Sequence, residues 1–295
     1  MLPRERKTME NLWQPILNGI LLGGLYALIA IGLSTMLGIV RVMNFAHGDL
    51  MILASYMTLV LVTWLGIHPL MGLIVVIPAM YLVGYLIQRL LINRVLPQGE
   101  EPPLIVAFGL SIILQNILLL IFTPDARSLM TRLNLITIPI SRHLNIPVNY
   151  LLDFVFGLVV FLFLYYFFHN TYLGRAIRAA SDDEKAAQLI GINTHKIYAK
   201  AMGLAMITAA IAGVLVGMTF TFYPHTGSQF LFIAFGVAII GGLGSMKGTL
   251  AAGILLAVAQ LIGAHFMGPG YQVVTGHIVL LIVLLVRPQG LFGTV

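Results

Sequence analysis

The sequence has no cysteine and few charged residues. The absence of cysteine from all 295 residues excludes disulfides, thiolate metal sites and cysteine nucleophiles. Charged residues make up 9% of the chain and apolar residues 59%, whereas about a quarter of an ordinary soluble domain is charged. A soluble fold has no room to bury that much apolar surface, so we expect an integral membrane protein.

The apolar residues lie in runs long enough to cross a bilayer as helices, which takes roughly 20 residues each. No alternation of polar and apolar residues, as in barrel strands, dominates the sequence. The seventh run is crowded with glycines and is a candidate for a re-entrant segment. We predict an all-α polytopic membrane protein, a single domain over residues 1–295 with about eight to nine transmembrane helices. The nine candidate runs are approximately residues 16–40, 47–66, 70–92, 104–122, 150–168, 199–222, 229–246, 249–267 and 271–286.

The basic residues predict which side each loop faces. The net charge is +6, but the basic residues are spread singly among loops at helix ends, which does not favour a nucleic-acid partner. Residues 171–200 hold the largest basic group, so we place this loop in the cytoplasm. With nine spans, the 123–149 loop and the N-terminus are then external. The basic tail (Arg4, Arg6, Lys7) fits that side poorly, and eight spans would change the parity; we predict nine.

The loop at residues 171–198 carries the signals of a short helix over residues 182–190. Ser181 and Glu184 have the spacing of a capping box, and Asp182 and Asp183 lie where the helix dipole favours negative charge. Gly191 supplies a left-handed residue to end the helix. A helix this short is marginal in water by itself, so it must pack on something.

The same segment has two interpretations. It is either a well-capped connecting loop or a docking surface for a soluble subunit. In the second case Ala186, Ala187, Leu189 and Ile190 form a small apolar surface, flanked by Arg175 and Arg178.

Two glycine-containing stretches also allow two interpretations each. The stretch Asn44–Asp49 is either a cytoplasmic turn or a helix break inside the membrane that faces a translocation path. In the second case Asn44 and His47 bind a passing solute, Gly48 permits the bend and Asp49 caps the next helix. The stretch from Gly241 to Gly253 is more typical of close helix packing than of a pathway.

Three ordered stretches resemble the branched-chain amino-acid (LivH-type) family of ABC importer permeases. They are Asn44-Phe-Ala-His-Gly-Asp49, then Gly174-Arg-Ala-Ile-Arg-Ala-Ala with Ala186-Ala187 and Gly191-Ile-Asn193, and then Gly241-Gly-Leu-Gly-Ser245 with Gly248 and Gly253. With the terminal Arg287-Pro-Gln-Gly290, the likeness covers about residues 19–291.

The resemblance implies a permease domain in the bacterial inner membrane with a cytoplasmic coupling loop at 171–198. It implies a homologous second permease (LivM type), two ABC ATPase subunits and a periplasmic substrate-binding protein as partners, with membrane lipid around them. The implied solute is a branched-chain amino acid or a related small polar solute. The implied pathway residues are Asn44, His47, Gly48, Asp49, Gly241 and Gly242. The implied ATPase-coupling residues are Gly174, Arg175, Arg178, Ser181, Asp182, Asp183, Glu184, Ala187 and Gly191.

The sequence itself also bears on the energy source. The stretch from Gly241 to Thr249 lacks the Gly-Lys-Ser/Thr ending of a phosphate-binding loop. Ionisable residues within the spans are few: His47, Asp49, Asp153, His265 and His277. An ATPase partner is therefore favoured over the alternative, an ion-coupled secondary transporter or channel. We find no catalytic constellation, cofactor motif or metal-ligand spacing, and we do not expect an enzyme.

Overall fold

The computed structural model describes residues 12–40, 42–99, 101–141 and 144–293. The basic tail at Arg4, Arg6 and Lys7 lies outside the described residues. The described part of the chain is almost entirely helical, with one small hairpin.

Within the described residues, eight helices are long and apolar enough to cross a membrane, which confirms the predicted fold class. Eleven helices are labelled here, including three that are not among those eight: α1 (Trp13–Val40), α2 (His47–Leu65), α3 (Pro69–Ile87), α4 (Glu101–Phe122), α5 (Val148–Asn170), α6 (Tyr172–Asp182), α7 (Glu184–Leu189), α8 (Thr194–Thr219), α9 (Thr226–Gly241), α10 (Met246–Met267) and α11 (Gln272–Val286). Helix α3 continues through a π-helical turn (Gln88–Ile92), a short helix (Asn93–Val95) and a 3-10 turn (Leu96–Gln98). Further 3-10 turns cover Arg132–Leu135 and Pro269–Tyr271. Strands β1 (Thr137–Ser141) and β2 (Leu144–Pro147) pair antiparallel.

Helices α1 and α8 form the centre of the bundle. Both are apolar all round and bury most of their residues, as expected of helices surrounded by other helices. Helix α1 packs closely on α10 and α5 because small residues lie at the crossings. A β-carbon on Gly23 would lie 2.4 to 3.0 Å from Ile254 of α10, and one on Gly157 of α5 would contact the backbone of Gly24.

The two ends of the bundle are distinguished by what lies there. At one end, called here the hairpin end, the Asn145 N–H donates to Gln14 Oε1 over 2.8 Å, and Asn134 Nδ2 donates to the Met218 carbonyl over 2.5 Å. At the other, called here the loop end, Ser181 Oγ donates to the Gly38 carbonyl over 2.6 Å, and Asn93 Nδ2 donates to the His195 carbonyl over 3.0 Å. Thus α1 runs from the hairpin end to the loop end, and α8 runs the opposite way.

Two helices begin in the middle of the bundle. Helix α2 starts beside the centre of α1, where His47 Nε2 lies 3.0 Å from the Ile29 carbonyl oxygen. Helix α9 starts against α2, since a β-carbon on Gly48 would contact the carbonyl oxygen of Gly227. Non-helical stretches that include residues 42–46 and 220–225 lead from the ends of α1 and α8 back to these starts. The arrangement of α1 and α2 is therefore repeated, upside down, by α8 and α9.

Helix α9 corrects the prediction for the seventh run. It has 16 residues and so is about 24 Å long, too short by itself to cross a hydrocarbon core of about 30 Å. It does not enter and leave on one face, because it starts beside Asp49 in mid-bundle and ends at the loop end, where Gly241 packs on Gly248. Residues 220–225 supply the rest of the crossing, since Phe222 pairs with Arg127 at the hairpin end. From residue 12 to residue 293, the described part of the chain therefore passes nine times between the two ends.

Candidate functional site

The loop at residues 171–193 contains two helices where the sequence predicted one. Helix α6 ends at Asp182, and Asp183 then has an extended backbone (φ −148°, ψ 105°) before α7 begins. Asp183 is the cap of α7, since its Oδ1 accepts a hydrogen bond from the Ala186 N–H at 3.0 Å. The prediction of a single helix over 182–190 capped by Ser181 is therefore wrong.

Ser181 and Glu184 anchor the loop and do not form a capping box. Ser181 lies within α6 and donates to the Gly38 carbonyl at the end of α1. Glu184 Oε1 accepts from Thr194 Oγ1 at 3.1 Å, and Thr194 begins α8. Ser181 and Glu184 have the spacing of a capping box, but α6 continues to Asp182. The cap of α7 is therefore Asp183 and not Ser181. Each side chain ties the loop to a membrane helix.

The buried side of the loop rests on the loop end of the bundle. Gly174 is buried and closely packed, since a β-carbon there would contact the Phe167 carbonyl oxygen. Ala187 is only 2% exposed, so it packs inwards and does not belong to a surface open to a partner. Gly191 has φ +88° and ends α7, as its sequence position predicted.

The outer side of the loop is charged, with an apolar tip. Leu189 and Ile190 are 88% and 76% exposed. The same loop carries six exposed charged residues: Arg175, Arg178, Asp182, Asp183, Glu184 and Lys185. The inner side of the loop is therefore attached to the membrane helices. Its outer side exposes both charged residues and an apolar tip.

A cavity of about 940 Å³ lies behind this loop. Arg178 and Ser181 of α6 line it on one side, and Gly38 of α1 and Lys247 at the start of α10 line it on the other. The cavity therefore lies between the loop and the ends of α1 and α10.

The second predicted site, at Asn44–Asp49, is buried in the middle of the bundle. Asn44 Oδ1 accepts from the Ala46 N–H at 3.0 Å, which stabilises the turn before α2. His47 and Asp49 are each 1% exposed. Helix α2 begins at His47, so Asp49 lies inside its first turn and does not cap it. Gly48 is helical and permits the close approach of α9, so its predicted role as a bend is also wrong.

Asp49 instead joins a polar network between three helices. Its Oδ2 accepts from Ser111 Oγ at 2.5 Å and its Oδ1 from Gln115 Nε2 at 3.1 Å, both on α4. Gln115 Nε2 also lies 3.2 Å from Ser228 Oγ on α9. Among the described residues the one ion pair joins Arg127 to Asp125, so Asp49 is held by neutral donors and the two nearby helix N-termini.

The network reaches the surface of the chain at a polar patch, defined as Gln115, Tyr223, His225, Ser228 and Gln229. His225 Nδ1 lies 3.2 Å from Gln115 Oε1, and Gln229 Nε2 donates to Tyr223 Oη over 3.2 Å. Tyr223, His225 and Gln229 are exposed. They lie at the depth of Gln115, which is near the middle of the apolar span α4. Polar side chains exposed at that depth are costly in lipid, so this side of the chain does not face hydrocarbon.

The sequence analysis missed every member of this patch. A signal was available in α4, where Ser111 and Gln115 lie four residues apart and therefore on one face of an otherwise apolar helix. The His225–Gln229 residues gave no such signal, because they gain their neighbours only when α9 meets α2.

Gly241 and Gly242 lie in a packed turn at the loop end. Gly241 contacts Gly248, and Gly242 has φ +94° in a place where a β-carbon would contact the Gly293 backbone. The Leu291 N–H donates to the Ile240 carbonyl at 2.7 Å, so the chain end covers this turn. The geometry matches the packing interpretation of this stretch. In the described part of the chain, no group of three His, Asp or Glu residues could hold a metal ion.

Comparison with known proteins places these features in a family. The family model described as the permease component of the branched-chain amino acid transport system matches residues 15–287, which include the loop, the mid-bundle network and the packed turn. The chain belongs to this family.

Its relatives in the permease family are similar over nearly their whole length. The high-affinity branched-chain amino acid transport system permease protein BraD of Pseudomonas aeruginosa is 35% identical over 95% of both chains. The corresponding LivH protein of Escherichia coli is 31% identical over 95% of both chains. A probable LivH of Methanocaldococcus jannaschii is 27% identical over 94% of this chain and 92% of its own.

A solved structure shares the fold of this permease. It is PsaBC from Streptococcus pneumoniae in complex with Fab, with a TM-score of 0.52 and 13% identity over 97% of this chain and 98% of that one. The likeness supports the architecture of the whole described bundle.

Proposed function

We propose that this permease is the membrane-spanning subunit of an ATP-driven importer in the bacterial inner membrane. Its solute is a branched-chain amino acid or a related small polar molecule, as the names of the relatives indicate. A homologous second permease, two ABC ATPase subunits and a periplasmic substrate-binding protein complete the transporter. The chain forms the passage and hydrolyses nothing itself.

The observation that carries this proposal is the anchored loop. A cytoplasmic ATPase must transmit force to the helices through a surface that is rigid underneath and open outside. Residues 171–193 meet both conditions, because Ser181 and Glu184 join the loop to α1 and α8 while Leu189 and Ile190 remain exposed. We assign the loop to ATPase coupling, with Arg175 and Arg178 as its basic contacts.

The pathway is assigned to the side of the chain that carries the polar patch. Gly48 and Asp49 support that surface from within, because Gly48 packs on Gly227 and Asp49 bonds Gln115, and we assign Asn44 and His47 at the same helix start to the pathway with them. Gly241 and Gly242 shape the loop end of the same helix, α9. A second permease facing this patch would enclose a polar passage at mid-membrane.

The test is co-purification followed by reconstitution. The chain is expressed with its neighbouring permease and ATPase genes, and uptake into proteoliposomes is measured with a solute-loaded binding protein. We expect the wild-type complex to take up solute only when ATP is present on the side of the ATPase subunits. Reversing Arg178 to glutamate should abolish binding-protein-stimulated ATP hydrolysis, whereas reversing the distant Arg132 should not. Solute uptake by the chain alone would refute the proposal.

The ion-coupled alternative has one observation in its favour, the buried carboxylates Asp49 and Asp153. Asp153 Oδ2 accepts from Thr219 Oγ1 at 2.9 Å, so both carboxylates are hydrogen-bonded within the bundle. The same proteoliposomes separate the two mechanisms. A proton ionophore should leave uptake unchanged at constant ATP, whereas loss of uptake would favour the ion-coupled carrier.

A further inference from the structure

The orientation of the polar patch is set by the buried carboxylate behind it. A carboxylate only accepts hydrogen bonds, so the amide NH₂ of Gln115 must point inwards to Asp49. Its Oε1 then points outwards, where His225 Nδ1 lies 3.2 Å away. An amide oxygen can only accept, so Nδ1 of His225 carries the proton.

The proton on Nδ1 of His225 determines what the other ring nitrogen can do. A neutral histidine protonated on Nδ1 has an acceptor at Nε2. Gln229 Nε2 donates to Tyr223 Oη over 3.2 Å, and in this orientation its Oε1 is left to accept. His225 and Gln229 are both exposed and lie four residues apart, so the surface offers acceptors from two side chains. Within the described residues, neither His225 Nε2 nor Gln229 Oε1 has a hydrogen-bond partner.

We propose that the polar patch is a subsite for the ammonium group of the transported solute. An ammonium group carries three donors and no acceptor, which complements the acceptors of His225 and Gln229. Asp49 is the positioning residue of this subsite, since it acts through Gln115 and never touches the solute. The inference rests on the proposed function, because only a solute in the pathway reaches the patch.

The chain offers a direct test because it contains no cysteine. Ser228 is half-buried within the patch, so Ser228→Cys introduces a single thiol there. The variant is purified in the full complex in nanodiscs and treated with a small methanethiosulfonate reagent. Three probes are compared at high concentration: L-leucine, 3-methylbutylamine, which lacks its carboxylate, and 4-methylpentanoate, which lacks its ammonium group.

We expect L-leucine and 3-methylbutylamine each to slow labelling several-fold and 4-methylpentanoate to leave the rate unchanged. Asn116→Cys is the matched control, since Asn116 is an exposed residue of the same network helix, α4, whose amide bonds its own backbone. None of the probes should slow its labelling. Equal protection of the thiol at position 228 by 4-methylpentanoate, or protection by no probe, would overturn the subsite.

A second variant tests the role of Asp49. In Asp49→Asn the new amide can donate to Gln115 Oε1, so Gln115 can turn its NH₂ outwards and reverse the patch. When this change is combined with Ser228→Cys, protection of the thiol by 3-methylbutylamine, measured as the ratio of the labelling rates with and without the probe, should be lost while the complex still assembles. Asp49→Glu should restore protection at least in part. Unaltered protection in Asp49→Asn would overturn the positioning role.

These outcomes are separate from those of the proposed function. A complex that binds no ATPase or takes up no solute refutes the importer, even where the thiol is protected. A working importer in which the thiol of Ser228→Cys is not protected refutes only the ammonium subsite.

Discussion

At the scale of single residues, Gly48 shows how a backbone contact fixes the centre of the molecule. A β-carbon at position 48 would overlap the carbonyl oxygen of Gly227, and backbone atoms cannot move aside as a flexible side chain can. Gly48→Ala should therefore separate the starts of α2 and α9. Overpacking of this kind costs about 1–3 kcal/mol. We expect a lower melting temperature in detergent and loss of uptake.

Gly109→Ala is the matched control for this substitution. Gly109 also lies in a membrane helix, but a β-carbon there would have nothing within 4 Å. Its variant should melt and transport as the wild type does. If Gly48→Ala melted at the wild-type temperature, the close packing of the two helix starts would be wrong.

Single residues also show where prediction from sequence stops. Gly191 was predicted correctly, because a glycine after a short helix reports a local backbone requirement. Ser181 was not, because its hydroxyl bonds Gly38, a partner 143 residues away that no local pattern reveals. Asp49 was placed at the right helix start, but its true partners Ser111 and Gln115 lie on another helix.

At the scale of elements, α7 depends on its cap. Six residues form too short a helix to persist without support, and Asp183 Oδ1 accepts from the Ala186 N–H. Asp183→Ala should cost about 0.5–2 kcal/mol of local stability. Hydrogen exchange of the α7 amides should accelerate accordingly. Asp182→Ala removes a neighbouring exposed carboxylate that caps nothing, and faster exchange in that variant would contradict the assignment.

The two sides of the coupling loop should respond differently to charge. Leu189 is 88% exposed, so Leu189→Glu should leave the melting temperature unchanged and weaken co-purification with the ATPase. Ala187 is 2% exposed, and Ala187→Glu should destabilise the loop because it buries an unpaired charge. Binding of the ATPase by Leu189→Glu at wild-type strength would remove the apolar tip from the interface.

At the scale of the whole molecule, the apolar runs of the sequence predicted the number of membrane crossings. The inverted repeat could not be predicted from them. Runs of apolar residues mark each crossing, including the short helix α9 together with residues 220–225. The repeat relates α1 and α2 to α8 and α9, and it is visible only through contacts between segments that are distant in the sequence. A local feature that the two halves share is a glycine at the second residue of α2 and of α9, Gly48 and Gly227. The polar patch depends on that repeat, which is why it was missed.

The sidedness of the bundle is the last prediction. The first described residues lie at the hairpin end, where Gln14 and Asn145 bond, so a cytoplasmic loop at 171–198 requires the hairpin and Gln14 to be external. Ser141→Cys and Ile190→Cys each place a single thiol at an exposed position, the first at the hairpin end and the second at the loop end. In spheroplasts a membrane-impermeant maleimide should label the Ser141→Cys variant and spare the Ile190→Cys variant. In inside-out vesicles the labelling should reverse, and labelling of Ile190→Cys in intact spheroplasts would place the loop outside the cell, away from any ATPase.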